Sequence, residues 1–475
     1  MDYRKTKIVA TLGPATSTKE MLKKIIKTGV NVCRVNFSHG SYEDHKKVIN
    51  YINEINTEEH LFTAILADLQ GPKIRVGEIK NKSINVVVGQ EITFTSTPCV
   101  GDEKKVYISY QNFPKDVSPG ETILLDDGKL NFTIKSTNRK DKVVAIVKYG
   151  GVLSSNKGVN LPNTKISLPC LTEKDLKDLQ FALKMKVSWI GLSFVRSAND
   201  ILELKKLITK AKSPAKVVAK IEKPEAIAAI DEIIKATDAV MVARGDLGVE
   251  IPFHQVPLIQ KMIVKKSMKA AKPVIIATQM MESMIENATP TRAEVNDVAN
   301  AVLDGADAVM LSGETSVGKY PVEVIKAMTS IINDVENDES LYYFEYAPEV
   351  AHINRFITDN VCYNSCSLAK RVGAKGVVTM TFSGYTGFKV ASFRPKASIF
   401  VFTGNKAILS MLSLVWGVKV FYYDKFVSTD DTINDIKNRL KKEKWVKKND
   451  IIVNIASMPI SEKGQSNMMK LSYIE

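Results

Sequence analysis

The chain has no apolar run approaching the ~18 residues that read as a membrane span, and its start, MDYRKTKIVATLG, lacks the apolar core of a secretory signal. Export and membrane insertion are therefore not expected, and a cytoplasmic location is. Cysteine is scarce. The five (Cys33, Cys99, Cys170, Cys362 and Cys366) are odd in number and form neither a CxxC pair nor a Cys/His metal spacing, which suits a reducing compartment. Cys362 and Cys366 fall one helical turn apart and are read as packing residues. A histidine triad is also missing: His45, His60 and His352 fall in helix or loop surroundings, His254 follows an Ile-Pro break, and only His39 falls near a strand end. Acids are outnumbered by bases, leaving a net charge of +14. The lysines are nevertheless interspersed with acids, and the densest run, KNRLKKEKWVKK (437–448), reads as one solvated helix face. No RNA-reading aromatic motif accompanies the charge, so nucleic acid is not an expected partner and phosphorylated small molecules fit better.

What is present is a recurring strand. The length of 475 residues allows about three domains, and 45% hydrophobic residues supply a sizeable core. Eight apolar, β-branched segments recur, each followed by polar residues and a helical stretch: 7–12, 32–37, 62–68, 187–194, 216–222, 238–243, 273–278 and 307–312. Continuous apolar strands alternating with helices imply a parallel sheet covered by helices, and eight of them imply a (β/α)8 barrel. Thr291 with Glu294 predicts a helix start, with Val295, Val298, Ala299, Val302 and Leu303 as its apolar face and Gly305 as its stop.

Strands three and four are separated by more than a hundred residues, most of them short alternating strands with Gly/Asp turns. This predicts a small inserted β-barrel, which as a βα-loop insertion would sit over the active face as a lid. After about residue 345 a helix and strand pattern predicts a C-terminal doubly wound α/β domain. The expected division is 1–71 with 166–345 for the barrel, 72–165 for the lid and 346–475 for the C-terminal domain.

The C-terminal ends of barrel strands read as functional, and here they are polar. Arg34, Asn36 and Ser38 share one face of strand two, strand three ends on Asp68, and Lys220 and Glu222 share a face of strand five. Strand six runs into Arg244, Gly245 and Asp246, strand seven into Thr278, Gln279 and Glu282, and strand eight into Ser312, Gly313 and Glu314. A lysine inside an apolar strand is costly unless it meets anions, either carboxylates or a phosphate. Glu222 and Asp246 form the sparse two-carboxylate arrangement that magnesium favours. With Arg34, Arg75, Lys157 and Lys220 as cations around it, the set suits phosphoryl transfer, which depends on positioning and charge neutralisation.

Across essentially the whole chain, these residues and their motifs resemble the pyruvate kinase family: RVNFSHG (34–40), DLQGPKIRVG (68–77), KGVNLP (157–162), AKIEKPEAI (219–227), MVARGDLGVEIP (241–252), PTRAEVNDVANAVLDGAD (290–307) and MLSGETSVGKYPVE (310–323). The resemblance implies transfer of the phosphoryl group of phosphoenolpyruvate to ADP, giving ATP, and protonation of enolpyruvate to pyruvate, the final step of glycolysis. Carried over by residue, Glu222 and Asp246 would bind Mg²⁺, with Mn²⁺ as an alternative. Lys220 would neutralise the phosphoryl in flight, Arg34 would contact it, and Gly245, Asp246 and Thr278 would contact the substrate. Thr278 or Ser312, through water, would lie on the proton path, and Asn36, Phe37, Ser38, His39, Arg75 and Lys157 would hold the nucleotide. A homotetramer is implied as well.

The departures from the family carry information. Many members need K⁺, bound by oxygens matching Asn36, Ser38, Asp68 and position 69, and read D-T-K-G-P-E-I-R-T here; this chain has Leu69, Gln70, Lys73 and Val76 instead. It is therefore similar to the branch that works without added K⁺, with the ammonium of Lys73 at or beside the cation position balancing Asp68. TMTFSGYTGFKVASFRP (379–395) resembles the family's loop for phosphorylated effectors, with Thr381, Ser383, Gly384 and Thr386 as its candidate contacts, although Phe382 and Gly387 depart from the more polar versions. Two other readings stay open: another Mg²⁺-dependent (β/α)8 enzyme acting on pyruvate or phosphoenolpyruvate without ADP, such as a lyase, and a catalytically silent, metabolite-sensing or RNA-associated protein.

Overall fold

In the computed structural model, which describes residues 4–344, 348, 355–425, 428–458 and 465–475, the eight anticipated segments form eight parallel strands. In chain order they are Lys7–Thr11, Val32–Asn36, Ala64–Asp68, Trp189–Leu192, Lys216–Ile221, Ala239–Ala243, Val274–Ala277 and Ala308–Leu311, and they close into a barrel. They are buried almost end to end, as parallel strands covered by helices must be. Strands three and four pair directly, with Gly191 opposite Asp68, so everything between them is an insertion at the rim. His352 lies outside the described residues.

The insertion holds a six-stranded sheet and a two-stranded ribbon around one core that includes Ile84, Phe94, Phe132 and Leu153. The isolated bridge Arg75 to Gly158 ties its two ends together, and Val76 to Ile108 ties its start to the middle of the insertion. The C-terminal region forms a five-stranded sheet, parallel except for its last strand, Met468–Tyr473. Its strand order reverses between Gly376–Met380 and Ile451–Ala456, the mark of double winding. This domain packs on the base of the barrel, away from the polar rim. There Arg394 pairs with Asp307 at 3.0 Å, the Trp189 indole donates to the Met411 carbonyl at 3.2 Å, and Lys7 donates to the Val418 carbonyl at 3.0 Å.

Two local expectations needed correction. The helix Arg292–Leu303 begins on the Thr291–Glu294 capping box and stops before Gly305, but Val295 and Leu303 are exposed and Ala301 is buried in their stead. The expected helix and strand pattern of the C-terminal domain includes a helical stretch over 408–415, and this is split into a short turn, Lys406–Leu409, and a 3-10 segment, Met411–Leu414. All five cysteines are free, with Cys362 and Cys366 buried. Among the described residues no helix is long and apolar enough to cross a membrane.

Candidate active site

Strand pairing brings the polar ends together. Asn36 lies opposite Asp68, Gly191 opposite Asp68, and Leu192 opposite Ala219, one residue before Lys220. Gly191 is required here, because a Cβ at that position would stand 2.9 Å from the Asp68 carboxylate. The chain then leaves strand three through Gly71, at φ +69° and with its amide held by Asp175 at 3.0 Å. A Cβ on Gly71 would stand 2.8 Å from the Phe194 ring.

Lys220 is the centre of this set. Its ammonium donates to the Ser193 hydroxyl at 2.7 Å and pairs with Glu222 Oε1 at 2.9 Å. Asp68 Oδ1 lies 3.2 Å away at an angle poor for hydrogen bonding, so that contact is chiefly ionic. Burial alone would lower the Lys220 pKa, but Asp68 and Glu222 outweigh it and the value is raised. The group is a permanent cation. Asp68 is held from its other side by Arg34, whose Nη2 and Nε reach Oδ2 at 2.6 and 2.7 Å while Nη1 donates to Thr11 Oγ1 at 3.0 Å. Burial would raise the Asp68 pKa, and Lys220 and Arg34 reverse this and lower it.

Glu222 accepts the Phe194 amide at 2.7 Å through Oε2. Phe194 achieves this at φ +55°, an uncommon conformation for a bulky residue. Burial, with Asp246 adding to it against the opposing pull of Lys220, raises the Glu222 pKa. Asp246 sits in the first turn of the helix Arg244–Glu250, and its carboxylate has no hydrogen bond or ion pair among the described residues. A buried carboxylate strained by its neighbour's charge and a second carboxylate with no partner are a donor set that a divalent cation would relieve. No cluster of three or more His, Cys, Asp or Glu suited to a metal occurs among the described residues, so substrate and water oxygens would complete any such shell.

Asp246 lines a cleft of about 810 Å³ together with Lys73, Asp127, Gly245 and Gln279. Gly245 donates its amide to Thr278 Oγ1 at 2.7 Å, and that hydroxyl in turn donates to the Ala277 carbonyl at 2.6 Å. Thr278 and Gln279 both have positive φ, at 70° and 54°. Arg244, which forms a two-pronged pair with Asp297 at 2.7 Å, donates to the Thr278 carbonyl at 2.7 Å and steadies this turn. The Ser312 hydroxyl is buried with no partner among the described residues, while Glu314 accepts the Ser312 and Met281 amides at 2.7 and 3.1 Å.

The remaining expected residues divide. Asn36 and Ser38 stay beside Asp68, with Asn36 Oδ1 accepting the Ser38 amide at 3.1 Å, and His39 is exposed. The Phe37 ring is instead packed into the core on His45 (centroids 4.5 Å apart), and its backbone is engaged too, the amide donating to the Asp68 carbonyl at 3.0 Å and the carbonyl accepting from Lys174 at 2.6 Å. The Leu69 carbonyl is taken by the Ser193 hydroxyl at 2.6 Å. On the lid, Lys157 pairs with Asp126 at 2.8 Å and Arg75 donates to the Asn156 carbonyl at 3.0 Å. Lys73 is exposed and forms no ion pair with Asp68, whose cations are Arg34 and Lys220. In the C-terminal loop, the Thr386 hydroxyl is buried against Thr379 Oγ1 at 2.9 Å and Thr381 Oγ1 accepts the Gly384 amide at 3.0 Å. That leaves Ser383 as the exposed hydroxyl there.

Sequence reasoning passed over Ser193, Phe194 and the latch between lid and barrel. In the latch, Glu250 Oε1 accepts from Lys223 at 2.6 Å and from Asn160 of the lid at 2.7 Å. The signal for Ser193 was available, as it is the polar residue that closes strand four.

Known proteins agree with this geometry. The family description "Pyruvate kinase, barrel domain" matches residues 3–325, and "Pyruvate kinase, alpha/beta domain" matches residues 359–472. The chain is 43% identical over 466 residues to a pyruvate kinase of Corynebacterium efficiens, covering 98% of this chain and 97% of that one. It is 40% identical over 471 residues to the pyruvate kinase of Mycobacterium tuberculosis, covering 99% and 98% respectively. The crystal structure of a pyruvate kinase from Cryptosporidium parvum superposes with a TM-score of 0.91 at 32% identity, covering 99% of this chain and 96% of the other. Barrel, inserted sheet, C-terminal domain and near full-length identity agree, and the chain belongs to the pyruvate kinase family.

Proposed function

We propose that the family's reaction, transfer of the phosphoryl group of phosphoenolpyruvate to ADP, runs at the rim around Lys220. The observation that carries this is a buried ammonium framed by Asp68, Glu222 and Ser193 beside a cleft into which Asp246 offers a free carboxylate. Glu222 and Asp246 would hold Mg²⁺, which when bound neutralises charge on substrate oxygens and orients them. Lys220 supplies fixed positive charge beside the transferring group. Arg34, itself fixed by Asp68 and Thr11, supplies a second cation without having to reorganise. Gly245 and Thr278 orient the substrate, and the buried hydroxyl of Ser312, uncommitted to any described residue, would join a water-linked proton path. Lys157 and Arg75 serve the nucleotide from the lid side. The test is pyruvate formation with and without ADP, and this reading requires none without it.

We also propose that turnover does not depend on K⁺. Support comes from Leu69 and Lys73 in the sequence, and from Asp68, whose charge is balanced by Arg34 and Lys220. Lys73 lines the cleft within a flexible side chain's reach of its neighbours, so it adds positive charge near the nucleotide. In tetramethylammonium buffer the wild type is expected to run within about twofold of its rate in K⁺, and Lys73→Glu to need K⁺ for full rate. Strong stimulation of the wild type by K⁺ would remove this reading.

A further inference from the structure

We infer that Ser193 is a positioning residue for phosphoryl transfer, acting through Lys220. This rests on the role given to Lys220 above. Ser193 follows strand four, is buried, and stands between two groups of the site. Its hydroxyl donates to the Leu69 carbonyl at 2.6 Å and accepts from the Lys220 ammonium at 2.7 Å. Because its proton is committed to Leu69, the oxygen has only lone pairs to offer and meets Lys220 as an acceptor of fixed orientation.

The value of that acceptor is that it carries no charge. Lys220 has three N–H groups, and its other two neighbours are the carboxylates of Glu222 at 2.9 Å and Asp68 at 3.2 Å. A third carboxylate in the place of Ser193 would hold the ammonium equally well but would leave the site with excess negative charge, repelling a phosphoryl group. A hydroxyl fixes the direction of Lys220 while leaving its positive charge for the substrate. Of the three contacts only the one to Ser193 is a hydrogen bond, the carboxylates being ion-paired, so Lys220 can turn an N–H from a carboxylate toward an incoming oxygen without losing that anchor.

The following residue reinforces this. Phe194, at φ +55°, delivers its amide to Glu222 at 2.7 Å. The Ser193 carbonyl meanwhile accepts the Cys170 thiol at 3.2 Å. One two-residue turn therefore orients both the cation and one of the two carboxylates through different atoms.

The experiment compares Ser193→Ala and the near-isosteric Ser193→Cys with wild type and with Lys220→Met, using steady-state kinetics and thermal unfolding. Ser193→Ala is expected to lower kcat by about 10- to 100-fold, with KM for ADP within about twofold and the unfolding temperature little changed. Ser193→Cys, which fills the space with a weak acceptor, is expected to remain similarly slow. The inference is overturned if Ser193→Ala keeps kcat within about twofold of wild type, if Ser193→Cys restores the rate, or if kcat and ADP binding fall together with stability. Lys220→Met separates the two readings: if it is active, the role of Lys220 itself fails, whereas an inactive Lys220→Met beside an active Ser193→Ala sinks only the inference about Ser193.

Discussion

Lys220→Met is expected to lower kcat by at least about 10³-fold, the scale on which cations that meet a transferring phosphoryl group act, while the protein remains folded. Methionine keeps the apolar stem of the side chain, one atom shorter, and removes the ammonium with its charge and its bond to Ser193. What remains behind is two buried carboxylates. Asp68 still has both contacts from Arg34, and Glu222 still has the Phe194 amide. Stranding a buried charge costs about 3–5 kcal/mol in general, and these surviving partners place the loss at the low end. Glu222, with its pKa already raised by burial, can also take up a proton. The pH dependence of stability follows from Asp68. Its folded pKa is lowered, so its contribution is present above the unfolded carboxylate range and is lost as pH falls through the folded value. Without Lys220 that folded value rises and the contribution shrinks. The variant should therefore unfold in acid at a higher pH than wild type, as followed by circular dichroism, and should be nearly inactive in the same buffers at neutral pH. Near-normal turnover would remove Lys220 from the chemistry.

Much of this was legible in the residues because two periodicities point to one rim. Every barrel strand fell within two residues of its anticipated segment, since uninterrupted β-branched runs followed by polar ends leave few alternatives. The Thr291–Glu294 box likewise fixed a helix start by local chemistry alone. Where tertiary context decides, the sequence was silent. Val295 and Leu303 fit a helical stripe yet face solvent, while the helix buries Val298, Ala301 and Val302. Phe37 lies in the same motif as Asn36 and Ser38, but a strand end alternates its faces, and its ring turns into the core on His45. The positive φ of Phe194, Thr278 and Gln279 has no signature in residue type, since none is glycine or asparagine. Nor could spacing show that Asp68 takes its cations from strands two and five rather than from Lys73, five residues along the chain.

Asp246→Asn is expected to have the second large effect, raising the Mg²⁺ concentration for half-maximal rate on the order of 100-fold. The basis is that Asp246 has no partner among the described residues, so its charge is available to a ligand and is not committed to holding the fold. The substitution preserves the shape of the first helical turn and the Gly245 amide that reaches Thr278. Stability should therefore change little. Glu222→Gln, by contrast, would disturb the buried pair with Lys220 as well as metal affinity. Direct binding of Mn²⁺, measured by electron paramagnetic resonance, supplies a readout independent of turnover. Wild-type affinity for Mn²⁺ in Asp246→Asn would show that the carboxylate is not a ligand.

On the proposed function, this rim moves a phosphoryl group from phosphoenolpyruvate to ADP. The most direct measurement is the yield of pyruvate and ATP from the wild-type chain given phosphoenolpyruvate, ADP and Mg²⁺ in tetramethylammonium buffer. One ATP is expected for each pyruvate, and no product when either ADP or Mg²⁺ is left out. Pyruvate formed at the same rate without ADP, or no ATP at all from the complete mixture, would contradict this function.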